Sequence, residues 1–208
     1  MHASDRAGHW DAAYRSRDFE SVSWYQSEPA TSLEMIRSLG VAPGVPVVDV
    51  GGGASPLVDR LLALGYADVS VLDLSEVAME EARRRVGTAG PVSWLREDVL
   101  EWHPERRYGL WHDRAAFHFL VDEADRARYL EVLFGAVEEG GAVVIATFAN
   151  DGPEYCSGLP VARYSEDDLV RVLGDRFVPA EGRRETHRTP AGTVQPFTWV
   201  AGRVTGAD

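Results

Sequence analysis

Short apolar runs alternate with helical periodicity along most of the chain. Near-continuous apolar runs of four to eight residues are typical of strands buried on both faces of a parallel sheet. Five such runs predict strands at residues 45–50, 69–72, 92–95, 108–112 and 142–148. Two longer runs, 177–186 and 194–204, predict a C-terminal hairpin that turns around Pro190 to Gly192. This alternation predicts right-handed crossovers and an α/β fold: a Rossmann-like, doubly wound, mostly parallel seven-stranded sheet with an antiparallel C-terminal hairpin strand.

Polar and small residues between these runs predict where the helices begin and end. Serine, threonine and aspartate cap helix N-termini, and glycine commonly ends a helix. The sequence predicts five helices. Their predicted starts are a Thr31/Glu34 capping box, Ser55 with Pro56 in the first turn, Ser75, Asp122, and Ser165 with Asp168. The second, third and fourth of these helices are predicted to end at Gly65, at Gly87 and at Gly140-Gly141.

The segment before the first strand is rich in aromatic residues. Trp10, Tyr14, Phe19, Trp24 and Tyr25 all lie within it. It can cover one face of the sheet, or it can fold over a ligand crevice as a lid. We expect one domain over residues 1–208, divided into an N-terminal aromatic segment, 1–44, and a Rossmann-like core, 45–208.

Composition limits the classes of function. The 208 residues are 45% hydrophobic, which suits one sizeable core. All 21 basic residues are arginine and the net charge is −12, which disfavours nonspecific nucleic acid binding. The N-terminus lacks the apolar stretch of a signal peptide, and no apolar run reaches the ~18 residues of a membrane span. The single cysteine, Cys156, excludes an internal disulfide, and His103 and His187 are too scattered to join it in a metal site. We expect a cytoplasmic protein without membrane or nucleic acid partners.

Acidic and glycine residues gather where the predicted strands end. The first strand runs into a glycine-rich turn that starts at Asp49, and Asp73 follows Gly51 by 22 residues. Such a turn lets the backbone approach a ligand, and an acid at the next strand end can hold ribose hydroxyls. Pro56 replaces the third glycine of the dinucleotide pattern, which disfavours NAD. With Asp98 after the third strand, the three carboxylates suit S-adenosylmethionine (SAM), which has a cationic amino acid end, a ribose and an adenine.

These residues belong to an ordered set of motifs. The chain carries Asp49-Val-Gly-Gly-Gly-Ala-Ser55, Val71-Leu-Asp73-Leu-Ser75, Glu97-Asp98-Val99 and Tyr108-Gly-Leu-Trp-His-Asp-Arg114, preceded by His9-Trp10-Asp11-Ala12-Ala13-Tyr14 and Val22-Ser23-Trp24-Tyr25-Gln26. In this order they resemble the class I SAM-dependent methyltransferases, in particular the small methyltransferase-like branch. The resemblance covers about residues 9–148. It departs from the usual glycine motif at Ser55.

The resemblance implies a cofactor site for SAM, with Gly51 and Gly53 at its methionine part and Asp49 at its amino group. Asp73 would hold the ribose hydroxyls. The remaining implied contacts are Leu74, Asp98 and Val99 at the adenine, Arg114 near the methionyl end, and Trp10, Tyr14 and Trp24 closing the site from above.

Methyl transfer is an in-line displacement, so a general base is needed only when the acceptor must lose a proton. His118 is the candidate base, with a structural histidine satisfied by its neighbours as the equal alternative. Tyr25, Tyr155 and Arg163 are candidate substrate contacts. For Cys156 we favour a partly buried loop cysteine over a contact to substrate.

The sequence therefore predicts a methyltransferase that acts at sulfur, oxygen or nitrogen of a small-molecule acceptor, as a monomer or homodimer. Three alternatives stay open: a protein lysine methyltransferase, a noncatalytic SAM- or nucleotide-binding module, and an NAD-linked oxidoreductase. No motif identifies the acceptor.

Overall fold

A computed structural model describes residues 3–16, 18–88 and 90–206. Seven strands form one sheet and two short ones form a separate ribbon. In chain order they are β1 Val47–Val50, β2 Val69–Asp73, β3 Val92–Arg96, β4 Tyr108–Arg114, β5 Val137–Phe148, the ribbon strands β6 Tyr155–Cys156 and β7 Leu159–Pro160, then β8 Phe177–Arg188 and β9 Val194–Val204. The α-helices are α1 Ala3–Arg15, α2 Ala30–Ser38, α3 Leu57–Ala63, α4 Glu76–Val86, α5 Glu123–Ala136 and α6 Glu166–Leu173, with 3₁₀ turns at Phe19–Ser21 and Phe117–Phe119.

The large sheet has the order β3-β2-β1-β4-β5-β9-β8. The first five strands are parallel, while β9 runs antiparallel to both β5 and β8. This confirms the predicted fold class and the antiparallel C-terminal hairpin. The strand order reverses between β1 and β4, and open α/β sheets bind ligands in the crevice at that point.

Both faces of the sheet are buried, which explains the near-continuous apolar runs of the sequence. Val47 belongs to a core on one face with Leu57 and Trp199. Its neighbour Val48 belongs to a core on the other face with Trp111. Successive strand residues point to opposite faces, so both must be apolar when helices cover the two sides.

Several helix caps were predicted correctly. The Ser75 hydroxyl accepts the backbone N–H of Ala78 at 3.2 Å, and α4 ends at Gly87 with φ of +55°. Ser165 likewise accepts the N–H of Asp168 at the start of α6. Short polar side chains cap these helices because they satisfy amide groups that lack an intrahelical acceptor.

Other predicted boundaries were wrong. The Thr31/Glu34 capping box does not form, because α2 begins at Ala30, directly after Pro29, and Thr31 already lies inside it. Pro56 precedes α3 instead of opening it, although the Ser55 hydroxyl does accept the N–H of Leu57 at 3.2 Å.

The boundary between α5 and β5 was also wrong. The helix ends at Ala136 and the strand begins at Val137, so Gly140 and Gly141 lie inside β5 and do not end the helix. Gly140 has φ of +74°, and a Cβ on Gly141 would lie 2.6 Å from Val137 Cγ1. The two glycines therefore lie in an irregular first part of β5. Within the described residues, every helix is too short or too polar to cross a bilayer.

Candidate active site

Two adjoining cavities lie at the carboxyl ends of the parallel strands. The larger, here the main cavity, has a volume of about 140 Å³, and its lining includes Leu74, Val99, Phe119 and Cys156. The smaller, here the glycine-loop cavity, has a volume of about 50 Å³ and is lined in part by Gly51 and Gly52. Gly51, Tyr14, Trp24 and Arg114 line both.

The glycine turn after β1 is held against the neighbouring strand ends. Gly51 adopts φ of +68° and donates its N–H to the carbonyl of Leu72 at 2.7 Å. A Cβ on Gly51 would lie 2.7 Å from Ala116 Cβ across the floor of the main cavity. Gly53 has φ of +42°, and a Cβ there would lie 2.8 Å from Asp73 Oδ2. Only glycine combines this backbone conformation with such close approach.

Asp73 lines the main cavity at the end of β2. Its Oδ1 accepts the N–H of Ser75 at 2.7 Å. Burial raises the pKa of Asp73 to about 7, the hydrogen bond from Ser75 opposes that rise, and the nearby carboxylates of Asp49 and Asp11 add to it. The cavity therefore contains a carboxyl group that titrates near neutral pH.

Asp49 is the first member of a buried chain of polar side chains. Its Oδ1 lies 2.7 Å from Nδ1 of His112 on β4, and Nε2 of the same ring lies 3.0 Å from the hydroxyl of Ser32 on α2. All three side chains are buried, and Asp49 and His112 line the glycine-loop cavity. Contacts to both ring nitrogens fix the orientation of the imidazole and, through it, the carboxylate.

Asp98 lines the main cavity, as does its sequence neighbour Val99. Its Oδ1 accepts the N–H of Leu100 at 3.0 Å, and its Oδ2 accepts Nε of Arg6 at 3.0 Å. Arg6 comes from α1 and lines the same cavity. The sequence analysis missed Arg6, because a contact across 92 residues leaves no local signal.

The aromatic N-terminal segment covers the main cavity. Trp24 packs edge-to-face on Trp10 and on Tyr14, with ring centroids 5.8 Å apart in both pairs, and Trp10 packs on Phe119 at 4.9 Å. The Tyr14 hydroxyl accepts Nε1–H of Trp24 at 3.0 Å. Burial, and then the charge of Asp73, raises the pKa of Tyr14, so its hydroxyl stays protonated.

Asp11 attaches α1 to the start of α4. Its Oδ1 accepts the hydroxyl of Ser75 at 2.8 Å and the N–H of Val77 at 3.3 Å. A carboxylate at a helix N-terminus is stabilised by the exposed amide groups and by the helix dipole. The sequence analysis missed this contact too, since Asp11 and Ser75 are 64 residues apart.

Arg114 ends β4, is half-buried and lines both cavities. Its Nη1 donates to the carbonyl of Trp24 at 3.1 Å, and its guanidinium lies 4.6 Å over the ring of Phe197 on β9. Nε and Nη2 are buried and have no hydrogen-bond partner among the described residues. Burial lowers the pKa of Arg114, and the nearby carboxylate of Glu185 opposes that shift.

The candidate base lies outside both sets of cavity-lining residues. His118 is buried between Phe119 and Phe148, with ring centroids 4.5 and 4.8 Å away, and its Nδ1 accepts the N–H of Phe148 at 3.3 Å. Burial, and then the charge of Arg114, lowers the pKa of His118 to about 3. This placement disfavours a role as base, and because the buried Nε2 has no hydrogen-bond partner among the described residues, the neighbours of His118 satisfy only one of its ring nitrogens.

The candidate substrate residues are dispersed. Tyr25 lines the glycine-loop cavity. Tyr155 is 64% exposed and lines neither cavity. Arg163 donates to the carbonyl of Gly152 and pairs with Glu154 at 3.1 Å, away from the cavities. Cys156 does line the main cavity, where burial raises the pKa of its thiol to about 11.

Comparisons with known proteins find similarity to methyltransferases. Residues 47–141 match a family model described as a methyltransferase domain, and this range contains β1 to β4 and the start of β5. The chain is 24% identical over 173 residues to malonyl-[acyl-carrier protein] O-methyltransferase 1 of Ilyobacter polytropus, covering 78% of this chain and 63% of that protein. It is 30% identical over 130 residues to the eEF1A lysine and N-terminal methyltransferase of Mus musculus, covering 61% of this chain and 18% of that protein. The chain thus spans less than two thirds of the length of either relative.

The fold is shared with a solved methyltransferase. The structure of Burkholderia thailandensis 1,6-didemethyltoxoflavin-N1-methyltransferase, with bound 1,6-didemethyltoxoflavin and S-adenosylhomocysteine, matches with a TM-score of 0.73 and 20% identity, covering 99% of this chain and 92% of that one. The domain match agrees with the class I SAM-dependent methyltransferases that the sequence motifs resemble, and the match to the solved structure shows a shared fold. SAM is the methyl donor of this class.

Proposed function

We propose that this protein transfers a methyl group from SAM to a sulfur, oxygen or nitrogen atom of a small-molecule acceptor. One observation supports the proposal above all others. The three predicted carboxylates and the glycine turn converge on two adjoining cavities under an aromatic cover, at the point where the strand order reverses. Sequence positions spread over about 50 residues therefore meet at one concave site, where ligands of open α/β sheets bind.

The site suits SAM in shape and in charge. The close approach of Gly51 to Ala116 leaves a floor on which a ligand can lie against the backbone. We propose that Asp73 accepts hydrogen bonds from ribose hydroxyls, that Leu74, Asp98 and Val99 contact the adenine, and that Asp49 and the glycines hold the amino acid end. When bound, SAM supplies an electrophilic methyl group: its carbon–sulfur bond breaks, the electron pair stays on sulfur, and a lone pair of the acceptor forms the new bond.

The contribution of the protein is orientation and the exclusion of water. The rings of Trp10, Tyr14 and Trp24 cover the main cavity, and we propose that this segment is a lid over donor and acceptor. Holding two reactants in line supplies much of the rate in such a displacement. His118 is sealed from the cavities, so we propose a mechanism that does not depend on it as a base.

The relatives differ in the acceptor for which they are named: one is named for a malonyl group carried on acyl-carrier protein, and the other for lysine and the N-terminus of eEF1A. The covered, mostly apolar main cavity supports a small molecule as acceptor. The protein lysine alternative is favoured by a different observation, the 30% identity to the eEF1A lysine and N-terminal methyltransferase.

A methylation screen distinguishes the two. Purified protein is incubated with isotope-labelled SAM and, separately, with thiols, phenols, carboxylates, amines and a basic protein substrate such as histone. Label in a small molecule and none in protein is the expected result. Label confined to lysines of the protein would support the alternative, and label in no acceptor together with tight SAM binding would favour a noncatalytic module.

A further inference from the structure

Arg114 is a half-buried cation, and two of its guanidinium nitrogens are buried without a hydrogen-bond partner among the described residues. Of its three guanidinium nitrogens only Nη1 has a hydrogen-bond partner in the described part of the chain, and that partner is the neutral carbonyl of Trp24. No carboxylate within residues 3–16, 18–88 and 90–206 forms an ion pair with it. Burying an unpaired charge is costly, so buried charges in proteins are normally paired.

The nearby acidic groups leave two nitrogens of Arg114 without a hydrogen bond. The charge of Glu185 acts on Arg114, but its carboxylate oxygens accept Nε2 of Gln26 at 3.1 Å and Nε1 of Trp199 at 2.8 Å, and neither accepts a hydrogen bond from Arg114. Burial raises the pKa of the Cys156 thiol to about 11, so this thiol is neutral at physiological pH.

Arg114 was expected from the sequence to lie near the methionyl end of SAM, and it lines both cavities. It shares the glycine-loop cavity with Asp49 and the main cavity with Cys156. Its guanidinium stacks on Phe197 of β9, on the other side of the strand-order reversal from β1, β2 and β3. Arg114 therefore belongs to the wall of both cavities, on the side of the sheet that carries none of the three predicted carboxylates.

We propose that Arg114 binds the methyl acceptor as an anion: a molecule of aromatic size with an apolar body, whose nucleophilic thiolate, phenolate or carboxylate is held by the free guanidinium nitrogens. This inference rests on the proposed methyltransferase function. An acceptor that is already anionic has no proton to lose, and its methylated product is neutral. A site without an accessible base, such as one with His118 sealed off, suits that reaction.

The charge of the whole site favours the same acceptor. The methyl donor of the class carries a positive sulfonium, and Arg114 adds a second positive charge to the same cavities. Two cations in a partly desolvated cavity repel each other, whereas an anion near them is attracted to both. Methylation removes the negative charge of the acceptor, so the product is held less tightly than the substrate.

Binding to the protein in complex with S-adenosylhomocysteine tests the proposal. Three pairs of an anion and its neutral methyl derivative are titrated by calorimetry at a pH where each acid is ionised: benzoate and methyl benzoate, thiophenolate and thioanisole, 4-nitrophenolate and 4-nitroanisole. We expect the anion of at least one pair to bind about tenfold or more tightly than its methyl derivative, as charge-assisted hydrogen bonds require. The preference should disappear in Arg114→Met, remain in part in Arg114→Lys, and be unchanged in the control Arg163→Met.

The same variants show whether the anion belongs to the cofactor instead. S-adenosylhomocysteine has a carboxylate and 5′-methylthioadenosine has none. We expect Arg114→Met to leave the affinity for both within about twofold of wild type, since surface or uninvolved positions change binding little. Selective loss of S-adenosylhomocysteine affinity would assign Arg114 to the cofactor and overturn the proposal.

The remaining outcomes are also decisive. Wild-type protein that binds S-adenosylhomocysteine but prefers no anion in any pair would overturn the anionic acceptor and leave the methyltransferase assignment intact. Wild-type protein that does not bind S-adenosylhomocysteine would instead contradict the proposed function itself.

Discussion

At the scale of single residues, Asp73 combines a binding role with a cost to stability. Its pKa in the folded protein is raised to about 7 from an ordinary value of 3.8, chiefly by burial. The folded state therefore holds this proton more tightly than the unfolded state. The stability that the protonated group contributes is complete below the ordinary pKa and is lost as the pH rises through about 7.

Asp73→Asn should consequently weaken ligand binding and stabilise the empty protein. We expect S-adenosylhomocysteine affinity to fall by about 10- to 100-fold, because hydrogen bonds to a charged acceptor are among the stronger ones. Without ligand, the melting temperature of the variant should exceed that of wild type above pH 7 and converge with it in acid. Calorimetry and thermal melts measure the two effects, and Asp122→Asn, at an exposed helix start, is the matched control. Unchanged affinity would remove Asp73 from the cofactor site.

The buried chain from Asp49 through His112 to Ser32 gives a second prediction at this scale. Ser32→Ala leaves Nε2 of His112 buried without its partner, which lies 3.0 Å away in the wild type. An unsatisfied buried polar group costs about 1–3 kcal/mol, so the free energy of unfolding should fall by that amount in urea titrations. Thr31→Ala, on the same helix, should change it by less than about 0.5 kcal/mol. Equal effects of the two substitutions would show that Ser32 does not support the imidazole.

Single residues also show how far the sequence can be interpreted. Asp49, Asp73 and Asp98 were predictable because each follows an apolar run whose end defines the carboxyl edge of the sheet. Arg6 and Asp11 were not, because their partners lie 92 and 64 residues away and neither position carries a local pattern. The missing partners of Arg114 Nε and Nη2 could not be predicted either, because they depend on what the surrounding side chains already bind.

At the scale of elements, α1 is held over the main cavity by a few polar contacts. Asp11 joins it to the start of α4, and Arg6 joins it to Asp98. Between these contacts the aromatic rings of Trp10 and Tyr14 face the cavity. Opening of α1, which the proposed lid requires to admit ligands, would break these polar contacts and the packing of Trp10 and Tyr14 on Trp24.

Asp11→Ala should release this lid. The variant loses the acceptor for the Ser75 hydroxyl and the Val77 N–H, so α1 should exchange its amide hydrogens faster. We expect S-adenosylhomocysteine affinity to fall by about 5- to 30-fold, the effect of losing one or two kcal/mol of coupling. Asp5→Ala, in the first turn of the same helix, is the control and should leave both measurements near wild type. Faster exchange with unchanged affinity would show that α1 moves without contributing to the site.

The elements were predicted better than their boundaries. All seven strands of the large sheet were expected, and β9 has the bounds that its apolar run indicated. The predicted helix starts were wrong where a proline lies beside the expected cap, as at Pro29 and Pro56. The predicted start of β5 was wrong because Gly140 and Gly141 suit either a helix end or an irregular strand. Pairing with β4 decides between the two.

At the scale of the whole molecule, the sheet divides the site into two functional parts. The strand order reverses between β1 and β4, so strand ends on one side carry the carboxylates and those on the other carry Arg114 and its aromatic neighbours. With a net charge of −12, the surface repels anions in general. An anionic acceptor would therefore depend on the half-buried arginine for its affinity, and its capture should weaken little with salt, which screens exposed charges more than buried ones.

We propose above all that this fold binds SAM at the carboxyl ends of β1, β2 and β3. Calorimetric titration of the purified protein with S-adenosylhomocysteine tests it most directly. We expect one binding site per chain with micromolar affinity, and much weaker binding of S-adenosylhomocysteine to Asp73→Asn. The absence of binding at millimolar ligand, or saturable binding of NAD in its place, would contradict it.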